Sequence, residues 1–251
     1  MLKSVKGFRS LNYIYKVLAV CFWLLVWEFA ARMINNDVLL ASPADVFVTL
    51  IGLSTKAEFW QTILFSFMRI VSGFLLALVT GSILAVLSFK VRLVKELLSP
   101  IMKVIKAAPV ASFIILALIW IKTKNLSILI SFLMVVPIVY INVEQGLRSA
   151  DEKLLQMAKV FRLSRWKKIK AIYLPSVKPH FISAVSVGLG FCWKSGIAAE
   201  VIGIPTGSIG AQLYQAKLYL MTKELFAWTF VIILISVLFE KAVMLLIRRP
   251  S

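Results

Sequence analysis

The sequence predicts an all-α membrane protein with six transmembrane helices, and three observations support this fold class. The 251 residues are 61% hydrophobic, with a mean hydropathy of +0.92, whereas a soluble domain of this length needs more polar residues to cover its surface. Six apolar segments are long enough to approach the roughly 20 residues that cross a bilayer as a helix. Most Lys and Arg residues lie in the short stretches between them. Irregular backbone is excluded from lipid, so we expect helices.

These segments predict one membrane domain over residues 1–251. The second span is uncharged, the third contains Lys103 and Lys106 in its first turns, and the fifth contains Lys194 and Glu200. The predicted spans are, in order, about 18–34, 70–89, 99–121, 126–147, 182–202 and 226–247.

The distribution of positive charge predicts that both termini are cytosolic. With the N-terminus in the cytosol, 21 of the 29 Lys and Arg residues lie on the cytosolic side, as the positive-inside rule requires. Two cytosolic termini require an even number of spans, and six satisfies this. The basic residues behind the net charge of +18 lie mostly in the loops between apolar spans, as in a membrane protein. We therefore expect a lipid membrane around the chain and no nucleic acid partner.

Residues 148–178 form a predicted cytosolic loop with nine basic residues. Within it Leu154, Met157, Ala158 and Phe161 are spaced as one face of a helix. Ser164 can cap a second helix that begins at Arg165.

Pro175 is expected to stop this second helix before the next span. Two interpretations of the loop remain open from composition alone: a docking surface for a soluble partner, or a helix lying on the anionic inner leaflet.

The loop resembles the "EAA" loop of binding-protein-dependent ABC importer permeases. That pattern is Glu-Ala-Ala, three residues, Gly, and then about nine residues to an apolar-x-Leu-Pro ending. Gln156-Met157-Ala158 stands at the Glu-Ala-Ala positions and Arg162 stands at the Gly position. Ser164-Arg165-Trp166 matches a common middle, and Ile172-Tyr173-Leu174-Pro175 matches the ending.

Other stretches extend the resemblance over nearly the whole chain. Ser42-Pro43 with Val46 is similar to the start of the family's core. Arg69, Gly73 and Gly81 resemble the start of its second span, and Ala198–Gly203 with Gly207–Gly210 resembles its late loop. The nitrate/sulfonate/taurine-like branch of type I permeases is the most similar.

The resemblance implies the type I permease fold in the inner or plasma membrane of a prokaryote. It implies a second copy of this chain, two ATPase subunits that bind ATP and Mg, and an extracytoplasmic solute-binding protein. The chain itself would bind no cofactor. The solute would be a small anion such as sulfonate, nitrate or taurine, or a pyrimidine-type vitamin precursor. The predicted ATPase-docking residues are Leu154, Gln156, Met157, Ala158, Phe161, Arg162, Ser164 and Arg165.

Two other classes of protein fit the sequence less well than an importer permease. A stand-alone secondary transporter or channel usually shows internal repeats or broken midplane helices, and the sequence gives no sign of either. An intramembrane enzyme needs clustered His, Asp, Glu or Cys residues, but the sequence has one histidine, His180, and scattered carboxylates. We therefore predict no catalytic and no metal-binding residue. A phosphate-binding loop is also missing, so ATP hydrolysis is expected on a separate chain.

Lys194 is the main candidate for the substrate pathway, together with Trp193, Ser195 and Glu200. A charge within a span is costly, and it usually marks a pathway or a buried pair. Lys194 and Glu200 are six residues apart, so they do not share one helix face. A buried ion pair, with Glu200 or with a carboxylate on another helix, is the interpretation we favour, because it explains why such a charge is retained. A lining role that favours an anionic solute stays open.

Overall fold

The computed structural model describes the backbone of residues 2–248 and the side chains of residues 15–247, and the regular elements within this part are all helical. The all-α prediction is confirmed. The side chains of Lys3, Lys6, Arg9, Arg248 and Arg249, which were used to predict orientation, lie outside the described residues.

Twelve helical elements follow one another along the described chain. They are α1 (Leu2–Ile34), α2 (Pro43–Ser54), α3 (Ala57–Lys90), α4 (Arg92–Ala107), α5 (Val110–Trp120), α6 (Thr123–Arg148), α7 (Glu152–Val160), α8 (Arg165–Lys168), a π-helical turn (Ile169–Tyr173), α9 (Leu174–Gly203), α10 (Ile209–Leu218) and α11 (Thr222–Arg248).

Five helices of the described chain are long and apolar enough to cross a membrane, and a bent pair raises the number to six. The bent pair replaces the predicted third span, 99–121, for which the sequence indicated one continuous helix. α4 and α5 instead meet at 107°. Ala108 has extended backbone, with φ −75° and ψ 143°, because Pro109 disfavours helical backbone at the residue before it. The limits at which each helix enters the membrane stay predictions.

The chain divides into two compact units, the first of which comprises the residues up to Phe59 together with Gln212–Val231. Here the Trp27 ring packs on Phe226 with centroids 5.4 Å apart, and its Nε1 donates a hydrogen bond to the Ala41 carbonyl at 3.0 Å. Ser42 caps α2 by accepting from the Asp45 amide at 3.1 Å, with Pro43 in the first turn. Residues 42–46, singled out in the sequence, thus form a capped helix start.

The second unit comprises Trp60–Ala211 and the residues from Ile232 onward. Its centre is the packing of α6 against α9, with α3 close to both. A Cβ placed on Gly73 would lie 2.4 Å from the Ile128 carbonyl oxygen, and one on Gly196 would lie 2.6 Å from the Ser131 hydroxyl. Glycine at these positions allows the helix backbones to approach closely, as is common in membrane bundles.

Candidate functional site

Hydrogen bonds from neighbouring residues cap both ends of the helix α7. The Asp151 side chain accepts a hydrogen bond from the Lys153 amide at 2.8 Å and caps the N-terminus. At the C-terminus the Leu163 amide donates to the Ala158 carbonyl at 2.9 Å, and the Arg162 amide donates to the Lys159 carbonyl at 3.1 Å. This pair of hydrogen bonds is the Schellman arrangement, which satisfies carbonyls at a helix end.

Arg162 has the backbone conformation that such a helix end requires. Its φ is +48°, within the left-handed region that glycine adopts without steric cost and other residues adopt rarely. Arg162 stands at the position where the "EAA" pattern has glycine. The turn is therefore preserved although the glycine is replaced.

The apolar stripe predicted from the sequence divides between two faces of α7. Ala158 is 1% exposed and packs with Ala150 and Ile172, so it fixes α7 to the body of the unit. Met157 and Phe161 remain 54% and 70% exposed.

The other predicted docking residues also lie on the surface. Leu154 is 45% exposed, and Gln156, Arg162, Ser164 and Arg165 are exposed as well. The predicted apolar face therefore has two parts: Ala158 anchors α7, and Leu154, Met157 and Phe161 form an exposed apolar surface.

Helix α8 begins as predicted, but the helix does not stop at Pro175. The Ser164 hydroxyl accepts from the Lys167 amide at 3.4 Å. The chain then runs through the π-helical turn directly into α9, giving a helical segment from Arg165 to Gly203. Pro175 lies in the first turn of α9. A proline ring clashes with the carbonyl four residues earlier, and the wider π turn accommodates it without ending the helix.

The four predicted pathway residues are not grouped together in the structure. Trp193 and Ser195 are 1% and 4% exposed within the helix packing, and Glu200 is fully buried. Lys194 is exposed, and none of the ion pairs of the described residues includes it. The buried ion pair that we favoured for Lys194, with Glu200 or with a carboxylate on another helix, therefore stays a prediction.

Lys194 shares its face of α9 with Val187 and Phe191, which precede it by seven and three residues. Both of these side chains are about half exposed. They line a cavity of about 360 Å³ together with Lys106 and Asn142. Lys194 itself is not among the residues that line this cavity, so its place in a substrate pathway stays a prediction.

Glu200 lies at the centre of a buried hydrogen-bond cluster. Its Oε2 accepts from the Ser66 hydroxyl at 2.7 Å and from the Gly210 amide at 3.2 Å. Ser66 in turn accepts from the Ile209 amide at 2.9 Å. The carboxylate therefore joins the end of α9 to α3 and to the start of α10.

Gly210 is required for this close approach. A Cβ on Gly210 would lie 2.3 Å from the Glu200 Cβ. Sequence reasoning did not identify Ser66, because one serine in an apolar helix gives no signal of a partner 134 residues away.

Residues 73–249 match the family described as the binding-protein-dependent transport system inner membrane component. The chain belongs to this family. Two curated relatives match along most of the permease. The putative aliphatic sulfonates transport permease protein SsuC of Bacillus subtilis is 24% identical over 227 residues, 89% of this chain and 82% of the relative. The taurine transport system permease protein TauC of Escherichia coli is 25% identical over 229 residues, 89% of this chain and 83% of the relative.

A third relative matches a shorter part of the permease. The bicarbonate transport system permease protein CmpB of Synechococcus elongatus is 27% identical over 162 residues, 64% of this chain and 58% of the relative. Together these matches confirm an ABC importer permease of the nitrate/sulfonate/taurine-like branch with the all-α, type I fold.

The described part of the permease has no group of three or more His, Cys, Asp or Glu residues that could hold a metal ion. Its two candidate sites are instead surfaces: the exposed apolar face of α7 and the Lys194 face of α9. Membership of an ABC permease family implies ATP-binding and solute-binding partners in general.

Proposed function

We propose that a separate ATPase subunit docks on the exposed face of α7, formed by Leu154, Met157 and Phe161, and that α7 transmits ATP-driven movement to the helices behind it. The observation that carries this proposal is an apolar surface on a short helix of the basic loop 148–178, and this helix is itself anchored through Ala158. Exposed apolar side chains mark a surface that binds a protein or a membrane, and the ATP-binding partners implied by the family favour the protein here. ATP and Mg would be bound by that partner.

The anchor explains how a docking helix could transmit force. Leu155, Leu163 and Tyr173 pack around Ala158 and its neighbours. Through Tyr173 this cluster reaches the π-helical turn that leads into α9. A displacement of α7 would therefore act on the same continuous helical segment that carries Lys194.

The remaining parts of the proposal follow from family membership and charge. The permease would act as a pair of identical copies, receive its solute from an extracytoplasmic binding protein, and hold both termini in the cytosol. A small anion such as sulfonate, nitrate or taurine is the favoured solute class over a pyrimidine-type vitamin precursor, because the exposed ammonium of Lys194 attracts anions. Lys194→Met is expected to insert and assemble normally and to lose transport; normal transport would remove Lys194 from the pathway.

Phe161→Ala tests the docking proposal. Truncating a central aromatic residue of an interface typically costs about 2 kcal/mol or more, so affinity for the ATPase should fall roughly thirtyfold. The measurement is co-purification of the ATPase with the permease, together with transport in vesicles.

Phe47→Ala is the matched control, because Phe47 is 61% exposed but lies in α2, on the opposite side of the membrane in the proposed topology. Co-purification should be unchanged in this variant. If Phe161→Ala retains the ATPase as well as Phe47→Ala does, the proposed surface is wrong.

A further inference from the structure

A second charged site lies where α3 and α6 end and α4 begins. A cavity of about 430 Å³ at this place is lined by four cationic side chains, Lys90, Arg92, Lys95 and Arg148. Lys90 is the last residue of the long apolar helix α3, and Arg148 is the last residue of α6. Both helices are candidate membrane spans. The cavity therefore lies at a boundary between apolar helix and water.

The positive charge of this cavity is only partly compensated. The Glu144 carboxylate forms ion pairs with Arg148 at 2.9 Å and with Lys95 at 3.4 Å, and the Glu96 carboxylate lies 3.9 Å from the Arg92 guanidinium. Among the ion pairs of the described residues, Lys90 has none. Four cationic side chains are thus balanced by only two carboxylates, and the remaining positive charge can attract an anion.

An exposed apolar stripe begins beside the cavity and follows α4. It consists of Leu93, Leu97, Ile101 and Val104, each between 52% and 67% exposed. Their spacing places them along one side of the helix, whereas Met102 faces the interior and is 4% exposed. A basic helix with a bare apolar side is typical of the membrane interface.

We propose that this cavity binds the phosphate of an anionic phospholipid, with an acyl chain lying along the α4 stripe. The shared chemistry is a phosphate monoanion. A free phosphate would satisfy the cations but leave the stripe uncovered. A second copy of the chain could cover the stripe, but with a net charge of +18 it would add positive charge. An anionic lipid satisfies both features, and cationic pockets at the cytosolic ends of membrane helices bind such headgroups.

The assignment of the bound lipid to the cytosolic leaflet rests on the proposed orientation, which places this cavity on the cytosolic side. Binding itself does not depend on orientation, on the ATPase or on transport. A failure of lipid binding is therefore distinguishable from a failure of the docking proposal, which is tested by co-purification with Phe161→Ala.

The test measures binding of phosphatidylglycerol and of phosphatidylcholine with the same acyl chains to the purified full-length chain, by native mass spectrometry. We expect phosphatidylglycerol to be retained and phosphatidylcholine to be lost. The double variant Lys90→Gln/Arg92→Gln should weaken phosphatidylglycerol binding by roughly fivefold for each cation removed. Both substitutions spare the Glu144 pairs.

Lys103→Gln/Lys106→Gln is the matched control, because it also removes two cations, both from α4 and both outside the cavity. Its phosphatidylglycerol affinity should stay within twofold of the unaltered chain, as expected for sites beyond direct contact. An equal loss in both double variants would overturn the proposal, because it would show only general attraction to positive charge.

Two further arms separate the possible occupants. Inorganic phosphate should fail to displace the bound lipid, and Leu93→Gln/Leu97→Gln should weaken lipid binding. Displacement by inorganic phosphate would show a free-phosphate site and overturn the lipid proposal. Dissociation of a dimer by Leu93→Gln/Leu97→Gln, with lipid binding unchanged, would show that a second copy covers the stripe and would also overturn it.

Discussion

At the scale of single residues, Arg162 and Glu200 are both unusual for their residue type. Arg162 has left-handed backbone, and Glu200 is a carboxylate in a fully buried position. A side chain at φ +48° costs about 1 kcal/mol relative to glycine, yet α7 still ends in a complete Schellman arrangement. A fully buried carboxylate at Glu200 is unfavourable unless it is hydrogen-bonded, and Ser66 and Gly210 provide bonds to one of its oxygens, Oε2. Both residues lead to predictions about stability.

Arg162→Gly is expected to stabilise the end of α7. Glycine removes the steric cost of the left-handed backbone, although part of this gain is offset by greater freedom of the unfolded chain. We expect a net gain of about 0.5–1 kcal/mol, visible as roughly twofold to fivefold slower hydrogen exchange of the α7 amides. Lys159→Gly, within the same helix, should instead accelerate exchange, because glycine destabilises helix interiors. Faster exchange in Arg162→Gly would contradict the left-handed turn.

Glu200→Ala is expected to destabilise the protein by leaving two buried donors, the Ser66 hydroxyl and the Gly210 amide, without their acceptor. Such losses cost about 1–3 kcal/mol, which corresponds to a fall of roughly 3–10 °C in Tm for a chain of this size. Glu200→Gln keeps an acceptor oxygen and should lower the Tm much less. Thermal unfolding in detergent measures both, with the exposed Glu58→Ala as control. Equal effects of Ala and Gln would show that charge matters at Glu200 and its hydrogen bonds do not.

At the scale of elements, local patterns predicted the helices and their caps better than the breaks between them. The cap at Ser164 follows from short-range spacing and was predicted, whereas the cap at Asp151 was not. Pro109 and Pro175 carry the same local signal but have opposite outcomes: the chain bends by 107° at Pro109 and continues through a π turn before Pro175. The presence of a proline therefore does not decide between a break and a π turn.

The same limit applies to the two faces of α7. Helical periodicity alone places Ala158 on the same face as Met157 and Phe161. The structure buries only Ala158, since its small side chain fits against Ala150 and Ile172. The docking residues were therefore predictable as a segment but their division into anchor and surface was not. The cluster at Glu200 was less accessible still, because it depends on the distant Ser66.

Ala158→Leu tests the anchor of α7. Leucine is a good helix former, so any loss arises from overpacking against Ala150 and Ile172, at a cost of about 1–3 kcal/mol. We expect faster hydrogen exchange throughout α7 and partial loss of the bound ATPase. Met157→Leu on the exposed face changes neither packing nor helix propensity, so its exchange should be unaltered. Normal exchange in Ala158→Leu would mean that α7 is not held through this residue.

At the scale of the whole molecule, charge distribution carries information that the helix packing does not. Six candidate spans are compatible with either orientation in the membrane, since the apolar helices alone do not show which of their ends is cytosolic. The asymmetry of 21 among 29 basic residues predicts one of the two orientations. Five of the residues in that count have side chains outside the described part, but the basic residues between Arg148 and Lys178 lie within it and are mostly exposed.

Cysteine labelling in intact cells tests this orientation. In a background with Cys21→Ser and Cys192→Ser, single cysteines at Lys56, Lys124 and Lys217 should react with a membrane-impermeant maleimide, because all three positions are exposed and are predicted to lie outside. A cysteine at Lys167, also exposed, should react only after the membrane is permeabilised. Permeabilised cells thus provide the internal control for reactivity at each position. Labelling at position 167 in intact cells would reverse the orientation, and it would move the α7 surface away from any cytosolic ATPase.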